Sequence, residues 1–119
     1  MVTPPGRVPD RGDAVRIDFN PQTDREQAGR RPAVVLSPAA YNGKVGLALL
    51  CPVTSQVKGY PFEVAIPNGL GVAGVILADQ VKSLDWRKRN ASVITALPQQ
   101  TVAAVLHKVN LLLGPSRAV

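Results

Sequence analysis

The sequence has little of the chemistry that many enzymes use. It contains one cysteine, Cys51, and one histidine, His107. A single cysteine excludes an internal disulfide and a cysteine-rich zinc site, and a single histidine excludes a nuclease that works through a histidine pair. The acidic residues are few and scattered, without a DxD-type pair, so a two-metal nuclease site is not expected. We predict no metal site and no cofactor.

Long apolar segments are lacking too. The longest apolar runs, such as Val45 to Val53, are far shorter than the ~20 residues that span a bilayer. The first residues, MVTPPGRVPDRGD, include no apolar stretch of the kind a secretory signal has. We therefore expect a cytoplasmic protein.

Basic residues are in excess. Lys and Arg total 14 against 8 Asp and Glu, which gives a net charge of +6. This balance favours polyanionic partners through counterion release, although an inert basic surface would have the same composition. Hydrophobic residues make up 45% of the 119 positions, which is enough for the core of one domain.

Apolar patterning predicts a mostly β (α+β) fold, a small barrel or strongly curved sheet of antiparallel strands with a C-terminal α-helix. Alternation from Ala14 to Phe19 predicts a half-buried strand. The segment from Asn20 to Arg31 is predicted to be a loop, and Asn42-Gly43 a turn. Further strands are predicted at 33–36, 45–53, 62–66, 74–78 and 91–95, and one helical turn at 83–87.

The C-terminal helix is predicted from apolar residues at three- and four-residue spacing. Pro98 stands near its start and Gly114 just past its end, where these residues are favoured. The predicted apolar face of this helix comprises Val102, Val105, Leu106, Val109, Leu112 and Leu113.

For the whole chain we expect a flexible arm at 1–11, a single domain at 12–114 and a tail at 115–119.

Two segments carry residues suited to a phosphodiester. Pro32 favours an extended conformation at Arg31, so the Arg31 side chain should project from the mouth of a strand, where its planar fork can hold two phosphate oxygens. The second segment, 51–60, combines hydroxyls with Lys58 for phosphate and with Tyr60 for stacking on an unpaired base. A solvated arginine pair and a polar turn are the structural alternatives.

In order and spacing these segments resemble the MazF/PemK family of toxin endoribonucleases, from type II toxin–antitoxin systems, over about Val8 to Gly114. The resemblance implies an SH3-like barrel that acts as a homodimer, cleaves single-stranded mRNA at specific sequences and is inhibited by a MazE-like antitoxin with an acidic tail. It is carried by PDRGD at 9–13, DFNP at 18–21, EQAGRRPAVVLSPAAYN at 26–42, TSQVKGYPFE at 54–63 and ADQVKS at 78–83.

The family's catalytic arginine and threonine fall on Arg31 and Thr54, and Glu26 matches a glutamate with a possible catalytic part. Ser55 stands where some relatives have a second threonine, which keeps a hydroxyl there. The RNA-binding residues that the resemblance implies are Asp18, Phe19, Asn20, Gln27, Arg30, Ser55, Gln56, Lys58, Tyr60, Gln80 and Lys82.

These residues fit attack by the RNA's own 2′-OH on the adjacent phosphorus. Arg31 would neutralise charge on the non-bridging oxygens, and Thr54 would donate a hydrogen bond to the same group. Glu26 or water would take the proton, because a guanidinium with a pKa above ~12 is a poor base. The products would be a 2′,3′-cyclic phosphate and a 5′-OH.

Two other functions fit the composition. A non-catalytic nucleic-acid-binding barrel would need only the positive charge. A gyrase poison of the CcdB type shares the barrel, but that activity depends on a tryptophan near the C-terminus, whereas the sole tryptophan here is Trp86.

Overall fold

Seven strands and two helices form the fold in the part of the chain that the structure, a computed structural model, describes: residues 7–19 and 30–115. The helices are α1 (Ala39–Val45) and α2 (Gln99–Leu113). The strands are β1 (Asp13–Asp18), β2 (Arg30–Val35), β3 (Ala48–Thr54), β4 (Glu63–Ala65), β5 (Val75–Leu77), β6 (Lys82–Leu84) and β7 (Ser92–Ala96). This arrangement confirms the predicted mostly β fold with a C-terminal helix.

The strands pair antiparallel in the order β4-β5-β3-β2-β1-β7, and β6 pairs with β3. β3 is the central element because its first half pairs with β6 and its last two residues, Val53 and Thr54, pair with β5. A long strand shared in this way joins the two parts of the sheet. The end of β3 therefore lies near the start of β2 and pairs with the start of β5.

Alternation along the strands separates two apolar cores on the two faces of the sheet. The helix-side core contains Ala14, Val34 and Cys51 and is covered by α2. The tryptophan-side core contains Val15, Ile17 and Trp86. Each fully buried Val or Ile contributes on the order of 1.5–3 kcal/mol relative to leaving it exposed. The strand predicted at 14–19 is therefore present as β1, with Val15, Ile17 and Phe19 on one face. It is not half-buried throughout, because Ala14 on the other face is buried as well.

The predicted turn at Asn42-Gly43 is wrong, because both residues lie inside α1. The Asn42 side chain is buried, and its Nδ2 donates to the carbonyl oxygens of Pro9 at 2.8 Å and Ser37 at 2.9 Å. These tertiary hydrogen bonds satisfy the side chain, so it does not compete with the helix backbone. The chain turns instead at Gly46, whose φ of 85° ends the helix in the left-handed region.

Two element boundaries differ from the sequence prediction. Residues 83–87 do not form the predicted helical turn: β6 occupies their start, and a non-helical turn that contains Trp86 follows it. The Trp86 ring is buried, and its Nε1 donates to the carbonyl oxygen of Asn42 at 3.0 Å. β2 begins at Arg30 rather than at residue 33, so Arg30 and Arg31, the last two residues of the predicted loop, belong to a strand. Pairing with β1 extends the strand beyond its apolar residues.

α2 confirms the predicted helix but only part of its predicted face. Val102, Val105 and Val109 are buried against the sheet, whereas Leu112 is 51% exposed and Leu113 is 75% exposed. The apolar pattern of α2 continues beyond Val109, although no other part of the described chain buries Leu112 and Leu113. The last turn therefore leaves an apolar surface, which is a feature typical of interaction sites.

The expected N-terminal arm at 1–11 is described from residue 7. Pro9 is buried, and the Asp10 carboxylate accepts hydrogen bonds from the backbone N–H groups of Ala39 and Arg11, which lower its pKa. Arg7 forms an ion pair of 3.6 Å with Asp13. Residues 7–11 thus pack on the domain. Residues 1–6 and 116–119 lie outside the described part, and no helix within that part is long and apolar enough to cross a membrane.

Candidate nucleic-acid site

Arg31 and Thr54, the two predicted catalytic residues, lie at neighbouring strand ends. The β2–β3 register pairs Val35 with Leu50 and Ala33 with Pro52. The pairing ends there, two residues short of Arg31 on β2 and of Thr54 on β3, and Thr54 pairs with Val75 of β5. Arg31 and Thr54 therefore lie at the same edge of the β2–β3 pair. Arg31 is exposed and Thr54 is half-buried, so both can be reached from solvent.

The Thr54 hydroxyl is oriented by its own loop. Its Oγ1 accepts a hydrogen bond from the backbone N–H of Gln56 at 3.1 Å. A hydroxyl has one proton to give and two lone pairs. With one lone pair occupied by Gln56, the proton of Thr54 can be donated to an oxygen bound in front of it.

Gly74 fixes the backbone behind Thr54. Its φ is +119°, and a Cβ built on it would lie 2.2 Å from the carbonyl oxygen of Thr54. Only glycine can adopt this conformation at this distance without displacing the neighbouring backbone. The end of β3 and the start of β5 therefore meet backbone to backbone. The sequence pattern indicates Gly74 only as the start of a strand and gives no sign of this close approach.

A polar pocket of ≈ 160 Å³ opens beside Thr54. Five of the predicted site residues line it, so the structure brings these five residues together. Glu63 and Leu77 also line the pocket and were not predicted. The complete lining is Thr54, Gln56, Lys58, Tyr60, Glu63, Leu77 and Gln80.

Glu63 holds the loop that carries Lys58 and Tyr60. Its carboxylate accepts hydrogen bonds from the backbone N–H of Lys58 at 3.0 Å and from that of Gly59 at 3.0 Å. On the other side of the loop, Lys108 of α2 donates to the carbonyl oxygen of Pro61. The alternation of residues 62–66 predicted the strand but gave no indication that Glu63 reaches back to this loop.

Asp18 and Arg30, both predicted to bind RNA, contact each other instead of lining the pocket. Arg30 Nη1 donates to Asp18 Oδ1 at 3.0 Å, and Asn90 Nδ2 donates to Asp18 Oδ2 at 3.0 Å. These two hydrogen bonds, that of Asn90 first, lower the pKa of Asp18. Arg30 Nη2 also donates to Ser92 Oγ at 3.1 Å. The network joins the end of β1 to the start of β2 and to β7.

The remaining predicted site residues are dispersed. Ser55 and Lys82 are exposed and do not line the pocket, and the half-buried Phe19 packs on the tryptophan-side core. Arg89 donates to the carbonyl oxygens of Asp18 and Phe19, at 3.1 and 2.6 Å, and so fixes the end of β1. Predictions for Asn20, Glu26 and Gln27 fall outside the described residues.

Other reactive side chains lie apart from this pocket. Cys51 is buried, and burial raises the pKa of its thiol to about 12, so it is protonated at neutral pH. His107 is exposed on α2. Within residues 7–19 and 30–115, no three His, Cys, Asp or Glu side chains form a group that could hold a metal ion.

Known proteins are similar to this chain in sequence and in fold, over a range that includes the candidate site. The family of PemK-like, MazF-like toxins of type II toxin–antitoxin systems matches residues 10–113. The endoribonuclease toxin MazF of Escherichia coli strain K12 is 50% identical over 107 residues, which cover 90% of this chain and 96% of that protein.

Solved structures agree. MazF (Form-I) from Deinococcus radiodurans has a TM-score of 0.83 and 56% identity, covering 92% of this chain and 99% of that chain. MazE-MazF (Form-II) from the same organism has a TM-score of 0.82 and 53% identity, covering 91% and 97%. The chain therefore belongs to the PemK-like, MazF-like toxin family of type II toxin–antitoxin systems.

Proposed function

We propose that this protein is a metal-independent endoribonuclease toxin that cleaves single-stranded mRNA at specific sequences in the cytoplasm. The observation that supports the proposal is that Arg31 and Thr54 lie at the neighbouring ends of β2 and β3, with Thr54 in the lining of a polar pocket. Similarity to the endoribonuclease MazF of E. coli supports it. A non-catalytic RNA-binding barrel would not require a charged donor and a hydroxyl donor at one point.

The reaction uses the substrate's own nucleophile. The 2′-OH attacks the adjacent phosphorus, and the bond to the 5′-oxygen of the next nucleotide breaks. Arg31 stabilises charge on the non-bridging oxygens as it develops, and the Thr54 hydroxyl donates to the same group. Glu26 or a water molecule takes the 2′-OH proton. The leaving 5′-oxygen gains a proton, which gives a 2′,3′-cyclic phosphate and a 5′-OH.

The pocket supplies binding as well as chemistry. Lys58 carries a positive charge for a phosphate next to the cleaved one, and Tyr60, 49% exposed, presents a ring on which a base can stack. Stacking on a protein ring requires a base that is not already stacked in a helix, so the substrate is single-stranded. Gln56 and Gln80 add amide groups that can contact base edges.

The protein acts as a homodimer in this proposal. An apolar groove of ≈ 690 Å³ runs between the end of α2 and the sheet, and it is continuous with the exposed Leu112 and Leu113. Exposed apolar surface of this kind is stabilised by burial against a second copy. Apolar residues from both sides line the groove: Leu36, Tyr41, Leu49, Val81, Leu106, Val109, Leu112 and Leu113.

An antitoxin of the MazE type is the proposed inhibitor. The structure of MazE-MazF from D. radiodurans contains both components. The net charge of +6 favours an acidic segment that folds across the basic RNA site. The gyrase-poison alternative gains no support, because the Trp86 ring is buried among core residues.

Incubation of the purified protein with a long single-stranded RNA tests the proposal. We expect cleavage at a few defined positions, products with 5′-OH ends, and the same rate with and without EDTA. Single-stranded DNA of the same sequence should stay intact, because it has no 2′-OH. Intact RNA, 5′-phosphate ends or loss of cleavage in EDTA would contradict the proposal.

A further inference from the structure

Glu63 is an unexpected residue for an RNA site. It is a carboxylate in the lining of a pocket that, on the proposed function, faces the phosphates of RNA. A negative charge there repels the substrate, so the residue lowers affinity unless it contributes something that outweighs the repulsion. Its hydrogen bonds indicate what that is.

The carboxylate oxygens of Glu63 accept hydrogen bonds from the backbone of the substrate loop, which we define as residues 55–61. Oε1 lies 3.3 Å from the Lys58 nitrogen and 3.0 Å from the Gly59 nitrogen, and Oε2 lies 3.0 Å from the Lys58 nitrogen. Gly59 has a φ of +77°, in the left-handed region. A carboxylate that accepts two adjacent N–H groups holds such a turn in one conformation.

The two residues that this turn presents are Lys58 and Tyr60, on either side of Gly59. Both side chains line the pocket with Glu63, and no ion pair joins Lys58 to Glu63 in the described part of the chain. The carboxylate therefore binds the loop's backbone and leaves the lysine charge for a ligand. A loop held before substrate arrives loses less conformational entropy on binding.

We infer that Glu63 is a positioning residue of the endoribonuclease: it orders the substrate loop so that Lys58 and Tyr60 face the RNA, and it does so by the reach of its oxygens rather than by its charge. This inference rests on the proposed function. It assigns Glu63 a role in substrate binding and none in the chemical step, which belongs to Arg31 and Thr54.

Two conservative variants separate reach from charge. Glu63→Gln removes the charge but keeps an oxygen at the position of Oε1, 3.0 Å from the Gly59 nitrogen and 3.3 Å from the Lys58 nitrogen. Its NH2 group replaces Oε2 and has to turn away from the Lys58 N–H, which keeps Oε1 as its acceptor. Glu63→Asp keeps the charge but withdraws the oxygens by one methylene. We expect Glu63→Asp to raise KM for single-stranded RNA by roughly tenfold, the effect of losing one hydrogen bond to the loop backbone. Its kcat should change by less than about threefold, and Glu63→Gln should keep KM within about threefold of wild type.

A charge effect predicts the opposite order. Glu63→Gln would then lower KM by removing repulsion, and Glu63→Asp would match wild type. This reversed order would overturn the inference. Equal KM values for all three proteins, or an equal rise of KM in both variants, would overturn it as well. Thermal unfolding of each variant checks that it is folded.

Asp85→Ala is the matched control. Its carboxylate accepts the backbone N–H of Lys88 at 3.0 Å in a turn that contributes no residue to the pocket. The substitution removes one negative charge and one turn-holding bond, and KM should stay unchanged. Failure of the wild-type protein to cleave RNA would refute the proposed function and this inference with it. If the wild-type protein cleaves RNA and Glu63→Asp has the same KM, only the inference is refuted.

Discussion

At the residue scale, the position of Thr54 depends on a neighbour that has no side chain. The backbone of Gly74 approaches the carbonyl oxygen of Thr54 so closely that any Cβ would overlap it. A hydroxyl that must meet one phosphate oxygen tolerates little displacement, because a shift of ~1 Å can cost about 10²-fold in rate. Backbone packing behind Thr54 thus positions the hydroxyl that we propose to be catalytic.

Gly74→Ala should therefore reduce cleavage by about 10²-fold, in addition to lowering stability. Gly69→Ala is the matched control, because Gly69 also has a positive φ, +87°, but nothing lies within 4 Å of the position that a Cβ would take there. The control should lose some stability and keep its kcat. Equal kcat values for the two variants, measured below their melting temperatures, would show that Gly74 has no part in placing Thr54.

Arg31 is the residue whose loss should affect the rate most. Arg31→Ala should lower kcat by 10²–10³-fold or more, on the order of the loss of one preorganised donor in an active site. Stability should change little because the residue is exposed at a strand end. Arg16→Ala, an exposed arginine of β1, is the control and should cleave normally. Cleavage by Arg31→Ala within about threefold of wild type would show that the site is wrongly assigned.

At the element scale, the network around Asp18 joins β1, β2 and β7. Arg30 and Asn90 hold the charged carboxylate, and its pKa lies below the ordinary value of 3.8. A group with a lowered pKa stabilises the fold above its unfolded-state pKa, and that contribution is lost as pH falls through the folded-state value. The junction between the strands should therefore weaken in acid.

Asp18→Asn should lower the melting temperature at pH 7, and the difference from wild type should shrink as pH falls below about 4. Comparing the two proteins at each pH cancels the contribution of Asp10, whose pKa is lowered as well. Melting temperatures measured from pH 7 to pH 2.5 test this expectation. A difference that stays constant over the whole range would mean that the charge of Asp18 does not stabilise the junction.

The elements differ in how far the sequence predicts them. Alternation predicts β1 correctly because Val15 and Ile17 are buried on one face, whereas Arg16 between them is exposed on the other. α1 escapes prediction because Asn42 looks like a turn residue until Pro9 and Ser37 are seen to bind it. Glu63 escapes for the same reason, since its partners are backbone groups of a loop whose path the sequence does not give. Arg31 and Thr54 are candidates by family resemblance, and the β2–β3 pairing brings the strand ends that carry them to the same edge of the sheet.

At the scale of the whole molecule, the apolar end of α2 predicts self-association. Sedimentation at micromolar concentration should give a species of twice 12.6 kDa. Leu113→Asp should shift it to the monomer, because it introduces a charge into the groove. Val57→Asp, at an exposed apolar residue outside the groove, should leave the dimer intact. A wild-type protein that sediments only at 12.6 kDa would rule out the dimer at that concentration.

The central claim is that the attacking oxygen belongs to the RNA. It is tested most directly with an RNA oligonucleotide that contains the mapped cleavage site and carries a single 2′-deoxy substitution on the 5′ side of the scissile phosphate. We predict that the substituted oligonucleotide binds the protein but is not cut at that bond, whereas the unmodified RNA is cut to a 2′,3′-cyclic phosphate and a 5′-OH. Cleavage of the substituted oligonucleotide at the same bond would contradict the mechanism.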